Sequence, residues 1–171
     1  MCIMFQKNVS GQVSSIDLMV ASIIFILIFV SMRGLWLENV SGAQEDFSLS
    51  DMQLKGESAL DSLLKTQGYP ANWSPSTVDD NTLLGIANSP LVLSSTKVAN
   101  FAAYAGTNYD KAVYLLALGN DDFNFSLVSD NPAYNISAGV PVRANSTVIS
   151  LKRVVTYKGV GAYVVFKIFS K

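Results

Sequence analysis

The residues in the C-terminal hundred whose types could do chemistry are carboxylates, and Asp79-Asp80, Asp121-Asp122 and Asp130 form its acidic clusters. Asp121, Asp122 and Asn124 place oxygens at a spacing that can hold a calcium ion, but the run lacks the glycine and terminal glutamate of an EF-hand loop. A solvated turn is the plainer reading. The chain has no histidine, which removes the usual general base at neutral pH, the commonest metal ligand and every nucleophile that works through an imidazole. Its one cysteine, Cys2, has no second cysteine for a disulfide and no companions for a zinc site. Tyr69, Trp73, Phe101, Tyr104, Tyr109 and Tyr114 could line a groove, yet aromatics at such spacing more often pack a small core with their polar tips in water. Gly159-x-Gly161 lies between two apolar runs and opens no helix, so it reads as a hairpin turn rather than a phosphate loop. No residue receives a catalytic or metal-binding role, no cofactor is expected, and an enzyme is not the expected class.

The elements that carry these residues begin with one hydrophobic stretch. Leu18 to Met32 runs without a charge between Asp17 and Arg33, and apolar character extends from Val13 to Leu37. With its flanks it approaches the roughly 20 helical residues that a bilayer core requires. A helix apolar on every face needs hydrocarbon or a large surrounding fold, and 171 residues supply one modest core. A transmembrane helix is therefore expected. The net charge of −1 offers no basic field for a phosphate backbone, so nucleic acid is not an expected partner.

Lys7 and Arg33 flank the stretch with one basic residue on each side, which leaves the positive-inside rule nearly balanced. Sequons bear on orientation instead. Asn8, Asn39, Asn72, Asn124, Asn135 and Asn145 each begin N-x-S/T, six of the twelve asparagines, and the motif marks exported surface. The residues beyond the stretch are accordingly expected outside the cell, with glycosylation machinery as a possible partner.

Lys7, then Ser10-Gly11-Gln12-Val13-Ser14, then the apolar run, resembles the class III signal peptide of archaeal type IV pilin-like proteins. The resemblance covers about thirty residues. It implies a prepilin peptidase that cuts between Gly11 and Gln12, in front of the hydrophobic segment, so that the segment stays on the mature protein and packs with other copies in a filament. Gln12 and Ser14 match the family's first and third mature positions, whereas Ile16 stands where the fifth carries an acid and Asp17 comes one residue late. That offset turns the carboxylate by about 100° round the helix. In the family the acid meets the free N-terminal amine of a neighbouring subunit, here the amine of Gln12. Asp17 could equally sit among lipid headgroups near the positive end of the helix dipole.

The fold class expected is α+β and pilin-like: a long N-terminal transmembrane and amphipathic helix, then a mixed α/β head that ends in an antiparallel hairpin. The divisions expected are a leader at 1–11, a transmembrane helix at 12–37, a helical stalk at 38–68 and an extracellular head at 69–171. Trp36, Val40, Ala43 and Phe47 keep a helical period, and Met52, Gly56, Leu60, Leu63 and Leu64 resume it after a break at Ser48 to Ser50. Gly68-Tyr69-Pro70 is the expected stop. In the head, Leu83 to Ala87 reads as a strand, Ser94 or Ser95 caps a helix through Tyr104 that Gly106 breaks, and Tyr109 to Leu118 is a second helix. Phe123 to Val128 follows, then a proline-punctuated loop from Asp130 to Arg143. Val148 to Tyr157 and Ala162 to Phe169 alternate in the manner of a hairpin about Lys158-Gly159.

The function expected is a pilin-like surface structural subunit held in membrane lipid, self-associating through its helix into a filament for adhesion. A non-polymerising anchored module, an adhesin or a solute-binding head, is the alternative. A small membrane-bound enzyme stands third.

Overall fold

A computed structural model describes the backbone of residues 10–171, and the side chains of 16–34, 36 and 47–171. The chain divides into two compact units, Met1–Phe47 and Ser48–Lys171. Helix α1 (Ser10–Lys65) includes Ser48 to Ser50 without a break, so the interruption expected there does not occur. Serine side chains offer the backbone alternatives to a helix but do not forbid one. Of the helical period in the first unit, Trp36 and Phe47 are exposed, while Val40 and Ala43 lie outside the described side chains.

The second unit has its own core. Met52, Ala59, Leu60, Leu63 and Leu64 are buried along one face of α1, three or four residues apart as a helix resting on a sheet requires. Gly56 lies on the same face, where a Cβ would come within 3.1 Å of both Ile168 and Leu151, so its missing side chain lets the helix approach the sheet closely. The helix stops because the chain folds back on it. Its last carbonyls have no partners within the helix, and amides from further along supply them: Ile86 N–H donates to Leu63 O at 2.9 Å, Leu91 N–H to Leu64 O at 2.9 Å and Ala87 N–H to Thr66 O at 3.1 Å. Gly68 (φ +78°) and Gly85 meet in that fold-back, where a Cβ on Gly68 would lie 2.6 Å from Leu83 O and 2.9 Å from Gly85 N.

This pairing also explains why Leu83 to Ala87 is not the strand its composition suggested. Leu83 makes only an isolated bridge to Tyr69, and the amides of Ile86 and Ala87 are turned to the end of α1. Two short strands follow instead, β1 (Ala87–Ser89) and β2 (Val92–Leu93). Helix α2 (Ser95–Thr107) starts as expected at an N-cap Ser94, whose Oγ accepts from Lys97 N–H, but it runs through Gly106. Gly106 has open space around it and costs the helix about 1 kcal/mol. Helix α3 (Tyr109–Leu115) ends three residues short of Leu118 in a Schellman motif: Leu118 N–H reaches Val113 O, Ala117 N–H reaches Tyr114 O, and Ala117 takes φ +54°. Leu118 and Val113, the apolar pair of that motif, are both buried.

Strands β3 (Asp122–Ser129), β4 (Ile136–Gly139), β5 (Val148–Tyr157) and β6 (Val160–Phe169) complete a six-stranded sheet in the order β1-β2-β5-β6-β3-β4. Every neighbouring pair is antiparallel except β2 and β5. Lys158 and Gly159, both at positive φ, join Tyr157 to its partner Val160 in a two-residue turn of the primed kind that matches strand twist. Strand β4, preceded by a 3-10 turn at Pro132–Tyr134, lies inside the segment expected to be loop.

The registers align Phe123, Phe125 and Leu127 of β3 with Ile168, Phe166 and Val164 of β6, all fully buried. Phe101 of α2 packs against Phe123 and Phe125, and Tyr109 of α3 stacks on Phe123 at 5.3 Å. The second half of α1, α2 and α3 therefore all cover one face of the sheet. The unit has two layers, and the other face of the sheet is open. The fold is α+β, an apolar N-terminal helix followed by a mixed α/β unit.

Candidate functional site: an apolar helix and the polar positions of the head

In the first unit, the 19 residues Ile16–Gly34 form a segment long and apolar enough to cross a membrane, and none of it is buried against protein. At 1.5 Å per residue its length is about 28 Å, close to the thickness of a hydrocarbon core. Its hydroxyls are satisfied within the helix. Ser22 Oγ donates to Leu18 O at 2.7 Å and Ser31 Oγ to Leu27 O at 2.8 Å, which leaves neither hydrogen unpaired in an apolar solvent. Phe25 and Phe29 stack one turn apart, 6.2 Å between centroids. Asp17 and Arg33 bracket the uncharged residues about 24 Å apart along the axis, with Trp36 exposed one turn beyond Arg33. A carboxylate at one end and a guanidinium with an indole at the other are what the two interfaces of a bilayer accept. Residues 1–9 of the leader, with the sequon at Asn8, lie outside the described residues, as do the side chains of Gln12 at the expected cleavage junction and of Asn39.

In the head the four remaining sequons differ in what surrounds them. Asn145 is exposed, at φ +69° in the loop before β5, and Asn72 is exposed in the loop after α1. Asn135 is exposed at the start of β4, its Oδ1 accepting from Ser129 N–H at 2.9 Å. Asn124 differs: it stands in β3 with β4 and β6 on either side, and its Nδ2, the atom a glycan would join, donates to Val140 O at 3.0 Å.

The acidic clusters resolve into separate environments. Asp79 Oδ1 accepts from Thr82 Oγ1 at 2.8 Å and Asn81 N–H at 3.0 Å, and those hydrogen bonds, Thr82's first, hold its carboxyl below the usual range. Asp80 pairs with Lys111 of α3. Asp121 lies 3.9 Å from Lys55, which also pairs with Asp51 at 2.5 Å; partial burial raises the Asp121 carboxyl, against the pull of that lysine. Asp122 is no solvated turn. Its side chain is 2% exposed, with Arg143 Nη2 at 3.2 Å from Oδ2 and Lys171 Nζ at 3.9 Å from Oδ1. Tyr109 donates its hydroxyl hydrogen to Asp122 Oδ1 at 3.1 Å and accepts from Phe123 N–H at 2.9 Å. Burial, the largest influence, drives the Tyr109 phenol well above its ordinary value. Asp122 Oδ2 lies within ion-pair reach of Arg143 but makes no directed hydrogen bond. Two flanking cations and an Asn124 engaged elsewhere turn this cluster from metal binding to tying together α3, the loop before β5 and Lys171. Among the described residues no group of three histidine, cysteine or carboxylate side chains could hold a metal.

The six aromatics converge on no groove. Trp73, Phe101 and Tyr104 are buried, Trp73 donating Nε1–H to Gly85 O at 2.9 Å, whereas Tyr69 and Tyr114 face outward. What the sequence reading passed over is the open face of the sheet, where β5 and β6 present Lys152, Val154, Tyr163, Val165 and Lys167. The same strict alternation that marked these strands also specifies which residues they turn outward. Comparisons with models of protein families, with curated proteins and with solved structures gave no match.

Proposed function

We propose that the chain is a pilin-like surface subunit, anchored by its N-terminal helix with the head outside the cell, and that copies assemble through that helix into an adhesive filament of the archaeal type IV kind. The observation that carries this reading is the pairing of a fully exposed apolar helix, Ile16–Gly34, with a second unit that buries its own core without it. Such a helix needs either lipid or other copies of itself around it. The leader-like residues at Gly11 and Gln12 supply a route from the first environment to the second, since cleavage there frees an amine beside the apolar segment.

Two experiments test the proposal. Mass spectrometry of the natively expressed protein is expected to find a mature terminus at Gln12, and a bulky residue in place of Gly11 should block that processing. An N-terminus at Met1, or one beyond Ala43, removes the pilin-like reading. Electron microscopy of sheared surface material then separates filament from anchored monomer. In a filament Asp17 lies among helices and needs a cation, and Asp17→Asn leaves the Gln12 amine uncompensated in a medium of low dielectric. Filament yield should fall sharply while export and processing stay intact. Fibres that persist unchanged in the variant would remove Asp17 from the mechanism.

The exposed Val154 and half-buried Tyr163 on the open sheet face favour one second reading, a non-polymerising anchored module that binds through its head. It predicts protein at the surface, processed and membrane-bound, with no fibres in any preparation.

A further inference from the structure

The open face of the sheet has an unusual make-up for a surface in water. Val128 of β3, Tyr163 of β6 and Val154 of β5 stand side by side in one cross-strand row, and Val154 is 74% exposed although β5 is an interior strand. The next row on the same face places Val165 between Ser126 and Lys152, and the row after it places Lys167 between Asn124 and Ser150. Lys152 lies over the Tyr163 ring at 3.8 Å, and among the described residues neither it nor Lys167 has a carboxylate partner. No exposed carboxylate stands among the outward residues of β3, β5 and β6. The face is thus apolar and aromatic at its centre, and positive.

The other side of the head is its complement. The loop between α1 and β1 is tied to the helix layer by Asn100 Nδ2 to Trp73 O at 3.4 Å and by the Asp80–Lys111 pair. It joins the start of α3 in presenting three exposed carboxylates, Asp79, Asp80 and Asp110, with Lys111 paired to Asp80 and Lys97 bonded to Gln67 O at the start of the loop. Around them stand exposed apolar groups, Tyr69, Leu83 and Tyr114. Because α2 and α3 cover the inner face of the sheet, this acidic surface and the basic sheet face lie on opposite sides of a two-layer unit.

We infer that the open sheet face, through Lys152, Val154, Tyr163 and Lys167, docks on the Asp79–Asp80–Asp110 surface of a second copy of this chain. Opposite charges steer the encounter and fix its polarity, and the valine and tyrosine row supplies the area that becomes dry. Two different surfaces on opposite sides of one molecule make a heterologous contact, and one that does not close generates an open-ended array rather than a dimer. The inference rests on the filament reading and adds to it a contact between heads, separate from the helices.

The test uses the full chain, expressed at the cell surface with Cys2→Ser, so that introduced cysteines are the only thiols. Val154→Cys and Asn81→Cys are made singly and together, and surface material is treated with a short bis-maleimide. The double variant is expected to give a ladder of covalent multimers, and each single variant only monomer. Adding Lys152→Glu and Lys167→Glu should reduce the ladder at least tenfold, and adding Asp80→Lys and Asp110→Lys to those should restore it. Dimers from Val154→Cys alone would mean that two sheet faces meet each other, which overturns the inference. Fibres seen by electron microscopy without a ladder would overturn it while the filament reading stands. Absence of both fibres and ladder would overturn the two together.

Discussion

Tyr109 is the residue on which most depends in the head, because one hydroxyl serves two buried groups, the Asp122 carboxylate and the Phe123 amide. Tyr109→Phe keeps the ring that stacks on Phe123 but leaves that amide and carboxylate short of a partner. A loss of about 1–3 kcal/mol is expected in urea unfolding of the head. Asp79 makes a prediction in pH. Its folded carboxyl titrates below the unfolded value, so its contribution is present above about pH 4 and disappears as the pH falls through the folded value. Thr82→Val removes the leading cause of the depression, and the variant's stability should fall less steeply than wild type as the pH is lowered below about 4. A slope unchanged from wild type would assign the acid sensitivity to other carboxylates. Among the sequons, the exposed positions of Asn72, Asn135 and Asn145 and the occupied Nδ2 of Asn124 set an order. Glycopeptide mass spectrometry in a host that modifies N-x-S/T should find glycan on one or more of the first three and none on Asn124.

At the scale of elements, the ends of helices give the sharpest tests. Ala117 holds a left-handed conformation that costs a side-chain-bearing residue about 1 kcal/mol. Ala117→Gly should therefore stabilise the head by up to that amount, read as a rise in the denaturation midpoint. Gly85→Ala should do the opposite. A Cβ there would lie 2.6 Å from Thr66 O, inside the fold-back that ends α1, and a loss of about 3 kcal/mol or failure to fold is expected. The β5–β6 hairpin was legible because alternation and a Lys-Gly turn act locally, and the apolar face from Met52 to Leu64 was legible for the same reason. Leu83 to Ala87 was misread because its amides are claimed by carbonyls some twenty residues earlier, a long-range pairing that no local pattern carries. Strand β4 is four residues held to β3 by its ladder, and of Ile-Ser-Ala-Gly only the isoleucine favours a strand. Of the candidate positions, the sequons and Asp17 could be picked from motif and spacing. The Tyr109–Asp122–Arg143–Lys171 cluster could not, since four segments meet there only once the sheet has formed.

For the molecule as a whole, the division after Phe47 makes the second unit a candidate for independent folding. A fragment of residues 48–171 should be soluble without detergent and unfold in a single cooperative transition by circular dichroism, whereas the full chain should partition into membranes through Ile16–Gly34. A fragment that aggregates or melts without a transition would mean that the core from Met52 to Phe169 needs the first unit. The sheet order β1-β2-β5-β6-β3-β4 has a consequence in time. Strand β6 is the last element in chain order, yet it lies between β3 and β5 and shares the full length of each ladder. Until the ribosome has added it, β3 and β5 have no common neighbour, and the buried aromatics on their inner faces remain open to water. The head therefore cannot close its core during synthesis until residues 160–169 have been added, and the order of its folding is set by its last strand.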